Sequence, residues 1–160
     1  MATDLHNAYT NTAVAASVAS GSTVNVAYAG DAWITAMNMG IAVTNPFATN
    51  NPSNQISLWD TDPLTACCTA PIGYHPSIYG SYLNALVLFD QQTGIDPRTL
   101  GWEKAAQDLG ISYDVATQLE FAAAATVLAG GATVPEPASM GVFAIGATMI
   151  GLLRRRRRMT

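Results

Sequence analysis

Residues 138–153 (ASMGVFAIGATMIGLL) run for sixteen positions without a charge, and five consecutive arginines, Arg154, Arg155, Arg156, Arg157 and Arg158, follow at once. Written as a helix, the run rises roughly 24 Å, somewhat short of a hydrocarbon core of about 30 Å. Arginine side chains snorkel outward and lengthen the usable span. A block of arginines also holds the end that carries it on the cytoplasmic side. A buried core helix of this length would not normally end in five arginines. The pattern therefore predicts a transmembrane helix and arginine-rich tail over 138–160, outside the globular domain.

Immediately upstream stands Val134-Pro135-Glu136-Pro137. Two prolines around a glutamate cannot continue a helix and present an extended, accessible backbone. The order Pro135, Glu136, Pro137, then an apolar span, then an arginine cluster resembles the PEP-CTERM sorting signal. That resemblance implies export, anchoring in the inner membrane and processing by exosortase, a membrane cysteine transpeptidase. It further implies delivery to the cell surface or extracellular matrix of a Gram-negative bacterium that makes exopolysaccharide. Met1-Ala2-Thr3-Asp4-Leu5-His6 offers neither a basic n-region nor a compact apolar segment after it. The expectation from this is that Met1 is an internal methionine of a longer protein.

The charge is divided as sharply as the hydropathy. Before Val134 the cations are Arg98 and Lys104 against ten carboxylates, a net of −8. Phosphate backbones are held by clustered Lys and Arg, so an acidic body excludes nucleic acid as its partner. No glycine-rich phosphate loop occurs, and His6 and His75 lack companions at metal-ligand spacing, so no cofactor or metal is expected.

About 130 residues remain for one modest core. Alanine-rich 4–19 reads as a helix with Leu5, Ala8, Tyr9 and Ala16 facing inward, broken by Gly21-Ser22. Thr23-Val24-Asn25-Val26-Ala27-Tyr28-Ala29 is short and β-branched, which suits a buried strand. Asp31 then caps a helix through Met39. Residues 45–54 are a loop by composition, and 55–59 a short extended piece. In the second half, Ser77 caps a helix to Gln92 that Gly94 ends. Asp96-Pro97 opens a short helix toward Leu109. Gly110 stops it, and Ser112 caps a last helix to about Leu128. Helix, strand, turn, helix at the start is the grammar of an α/β sheet protein.

The stretches from His75 to Phe89 and from Thr93 to Gly101, with Asn25-Val26-Ala27-Tyr28-Ala29-Gly30-Asp31-Ala32-Trp33 and Asn45-Pro46-Phe47 upstream, resemble the C-terminal region of SGNH/GDSL-type hydrolases. The resemblance implies an α/β fold, a partial three-layer flavodoxin-like domain, mostly helical in this stretch, over 1–129. A linker follows at 130–137 and the tail at 138–160. It also implies hydrolysis of esters or acylated carbohydrate, with His75 as the base that takes a serine proton. The family's aspartate, three residues before that histidine, is Ile72 here. Asp60 or Asp62 is the candidate replacement, and an ordinary Asx turn ahead of Pro63 is the alternative for both. The family's serine block, Gly-Asp-Ser or Gly-Asn-Ser, has no counterpart behind a strand, because Ser20-Gly21-Ser22 is a helix-ending loop. The resemblance thus implies the histidine-bearing portion of a longer ester hydrolase.

Cys67-Cys68, in a chain marked for export, suggests a disulfide. Adjacent cysteines pair only through a strained ring, so partners in a further segment are also open, and the expected role is to brace the loop that carries His75. The competing reading of the whole is a non-catalytic surface or matrix protein.

Overall fold

The computed structural model describes residues 2–61 and 75–130. Five α-helices occupy them: α1 (Ala2–Ser20), α2 (Ala29–Asn38), α3 (Ile78–Thr93), α4 (Lys104–Asp108) and α5 (Tyr113–Ala129), with a 3₁₀ turn at Pro97–Thr99 between α3 and α4. α2, α3 and α5 pack on one another around Ala32 and Ala36 of α2, Leu83, Leu86 and Val87 of α3, and Leu119, Ala122, Ala123 and Val127 of α5. The small alanines bring α2 and α5 close, and leucine and valine fill the space between them. Thr126 of α5 donates its hydroxyl to Thr35 of α2 at 2.9 Å, joining the two at their polar edge.

The α/β expectation is overturned. No strand forms among the described residues, only two isolated bridges, Ala42 with Ile56 in parallel and Trp59 with Pro76 antiparallel. Thr23-Val24-Asn25-Val26-Ala27 runs extended but without a sheet. The Val24 N–H donates to Ser17 Oγ at 2.8 Å and ties the segment to α1. β-branched composition suits a pleated surface only when a neighbouring strand supplies one, and here the neighbours are helices. The flavodoxin-like, SGNH-type sandwich is therefore not this protein's fold. Leu5 and Tyr9 of α1, expected inside, are 51% and 63% exposed because no sheet lies beneath them.

No described helix is long and apolar enough to cross a membrane. The transmembrane helix expected over 138–160 falls on residues outside the described set, so the fold is described without one.

The helices of the second half begin and end close to where their punctuation puts them. Ser77 caps α3, its hydroxyl accepting from Gly80 N–H, and Gly94 closes it. Ser112 caps α5 in the same way by accepting from Val115 N–H. The segment after Asp96 departs from expectation: the 3₁₀ turn stops and α4 starts only at Lys104. Gly101 between them has φ +63, a left-handed conformation that no continuous helix contains. α2 departs too, because Asp31 lies inside its first turn and the capping position is Tyr28.

Ser77 links elements as well as capping one, since its hydroxyl donates to the Ser57 carbonyl at 2.7 Å. Ser77→Ala removes both bonds and is expected to lower unfolding free energy by about 1–2 kcal/mol. A shifted urea midpoint at unchanged slope is the readout, and an unmoved midpoint would contradict the assignment.

Candidate functional site

α2 carries Trp33, Ile34 and Met37 on one face, and Trp59 approaches from the loop before the bridge to Pro76. The bridge is held by Asp60 N–H donating to His75 O and Ser77 N–H donating to Leu58 O, both at 2.8 Å. It fixes Trp59 against Trp33 edge to face, with ring centroids 4.5 Å apart and planes at 70°. This is a favoured arrangement of two aromatic quadrupoles. Trp33 Nε1–H donates to Asn84 Oδ1 of α3 at 2.8 Å, which locks the indole's orientation. Gly80 of α3 lets the ring approach the helix closely, because a Cβ there would stand 2.7 Å from Trp33 Cζ2. The result is a pocket of about 390 Å³ whose walls are indole, Ile34, Met37 and Pro76, with the Asn84 amide as its polar element.

His75 and Asp60 are the sequence neighbours of the pocket residues Pro76 and Trp59. The bridge brings their backbones together, with His75 exposed and Asp60 half-buried. Asp62, Cys67 and Cys68 fall outside the described residues, as do Pro135, Glu136, Pro137 and the arginines 154–158. Among the described residues that line the pocket there is no serine or cysteine.

Two further clusters escape a reading of the sequence. His6 Nδ1 and Asp31 Oδ2 meet at 2.6 Å, and the His6 ring stacks on Tyr28 at 5.1 Å, tying α1 to α2. Asp31 reads locally as a helix cap, and only the fold brings His6, 25 positions earlier, to it. The second cluster is buried. Glu120 of α5 is 1% exposed. Its Oε1, Oε2 of Glu103 and the Tyr82 hydroxyl are enclosed without a hydrogen-bond partner of standard geometry. Burial first, and then the Glu103 carboxylate, pushes the Glu120 carboxyl up to about 7. Burial, followed by the adjacent Glu103, likewise pushes the Tyr82 phenol upward. The signal in the sequence is Glu120 between Leu119 and Phe121 with alanine four residues to either side, leaving no cation on its helix face.

Among the described residues no group of three or more His, Cys, Asp or Glu is arranged to hold a metal. No curated protein and no solved structure matches the chain, so the likeness to SGNH/GDSL hydrolases has no support, and the helical fold removes its structural basis. Residues 133–158 match the family model of the PEP-CTERM protein-sorting motif, which marks the chain as an exported surface protein processed by exosortase at the membrane.

Proposed function

We propose that this is a non-catalytic surface or matrix protein, delivered by its sorting tail to the envelope of a Gram-negative bacterium. Its helical domain is the part that functions there. The match at 133–158 is the observation that carries the reading. The charge division agrees with it: the acidic body is separated from the five arginines by the Pro135-Glu136-Pro137 segment, where cleavage would part the two. Exopolysaccharide is the partner that this setting suggests, and an acylated carbohydrate is a second form of it.

Intact mass of the protein recovered from its native envelope is expected to show loss of the apolar span and the arginines. Deleting the exosortase should leave the uncut chain in the membrane fraction. A surface-located protein still ending at Thr160 would overturn the processing step. The non-catalytic part has a separate check: acetyl and butyryl esters should be turned over no faster by the chain than by its His75→Ala variant, and a loss on the order of 10³ in that variant would restore a catalytic histidine.

A further inference from the structure

The pocket between Trp33 and Trp59 remains without a role in sorting or in surface delivery. Its walls are two indoles, Ile34, Met37 and Pro76. Trp33 is held by Asn84 and cannot swing away. At about 390 Å³ the pocket falls in the size range of small-ligand sites.

Charge decides which small ligand suits it. Among the described residues that line the pocket there is no lysine or arginine. Both cations of the body are engaged elsewhere: Arg98 pairs with Asp96 and lies over the Phe121 ring, and Lys104 pairs with Asp108. Asp60 follows the pocket residue Trp59 directly in sequence, whereas Asp31, which follows Gly30, is engaged by His6. An anion entering would meet the field of a body with net charge −8 and find no paired cation to receive it. A cation would be drawn in and would meet a wall built of indole, the most favourable side chain for such contact. The apolar walls would desolvate a strongly hydrated ammonium at a cost, so the cation that fits carries its charge under methyl groups. We propose that the Trp33–Trp59 pocket binds a quaternary ammonium group of the choline type, as a free small molecule or as a lipid headgroup. This inference is independent of how the tail is processed.

The test is calorimetric titration of the full chain with choline, tetramethylammonium, choline's neutral tert-butyl analogue and a neutral pyranose. Indole fluorescence serves as a second readout. Choline and tetramethylammonium are expected to bind about tenfold or more tightly than the neutral analogue, the ratio that a cation–π contribution of about 1–2 kcal/mol produces. Trp33→Leu and Trp59→Leu should each lose about tenfold, with Trp59→Phe retaining part of the affinity and circular dichroism reporting whether each variant folds. Equal binding of the neutral analogue, preference for the pyranose, or no saturable binding by the unaltered chain would each overturn the proposal. Phosphatidylcholine vesicles separate the sources. Binding to vesicles as well as to choline assigns a headgroup, and binding to choline alone assigns a free cation.

Discussion

Replacing Gly80 with alanine is expected to destabilise the protein by about 3 kcal/mol or more, although alanine is the better helix former by about 1 kcal/mol. A Cβ at position 80 would stand 2.3 Å from the Leu58 carbonyl oxygen and 2.7 Å from Trp33 Cζ2. Neither neighbour can give way freely. The Leu58 carbonyl accepts Ser77 N–H in the bridge, and Leu58 itself is fully buried. Trp33 is held by Asn84 on one side and Trp59 on the other. Relief therefore requires opening the bridge or tilting the indole, and both deform the pocket. Gly30→Ala is the control, since a Cβ there meets nothing within 4 Å. It should be neutral or stabilising by about 0.5–1 kcal/mol. Urea denaturation followed by tryptophan emission checks both, and a Gly80→Ala cost no larger than that of Gly30→Ala would contradict the close packing of α3 on Trp33.

How far the fold could be read from the sequence follows from where its information is local. A serine three residues ahead of an orphan N–H, or a glycine past the last turn, acts within one helical turn. The limits of α3 and α5 were legible for that reason. A strand depends on a distant partner. Thr23-Val24-Asn25-Val26-Ala27 has the composition of a strand, but its fate was decided by Ser17 of α1 and the start of α2. The same dependence misplaced Leu5 and Tyr9, expected to face inward, because no sheet forms among the described residues to cover them.

The site divides along the same line. Pro135, Glu136, Pro137 and the arginine run are a linear signal, read by a partner that meets them in order, and the motif match covers them. The Trp33–Trp59 pocket is assembled from three places in the chain, so no spacing announces it. His75 drew notice as a lone histidine ahead of a helix, yet the residue that joins it to the pocket is its neighbour Pro76, through the bridge to Trp59. Cysteine pairing was open in the sequence, and Cys67 and Cys68 lie outside the described residues.

Glu120 leads to the second large effect, a loss of stability as the pH rises. A carboxyl in water titrates near 4.5, and in the folded protein this one is pushed up to about 7. Between those values the folded chain binds the proton more strongly than the unfolded chain does, so unfolding free energy falls with rising pH. The stabilisation is fully present below about pH 4.5 and is lost as pH passes through about 7, a change of roughly 3 kcal/mol. The cause is geometric: α5 carries Glu120 into the core, Glu103 caps α4 with one oxygen and faces inward with the other, and Tyr82 of α3 closes the cluster. Asp90 works in the same sense, raised chiefly by burial. Asp96 works in the opposite sense, held low by its hydrogen bond from Arg98, with its effect complete at more acid pH. Denaturant unfolding at about pH 5 and about pH 8 therefore isolates Glu120 when the unaltered chain is compared with Glu120→Gln. Glutamine keeps the shape and cannot ionise, so the variant should be nearly as stable as the parent at the lower pH and more stable by roughly 2–3 kcal/mol at the higher. Parallel pH profiles for the two chains would mean that Glu120 ionises in the core without penalty and would overturn the assignment, since its Oε1 is enclosed without a hydrogen-bond partner.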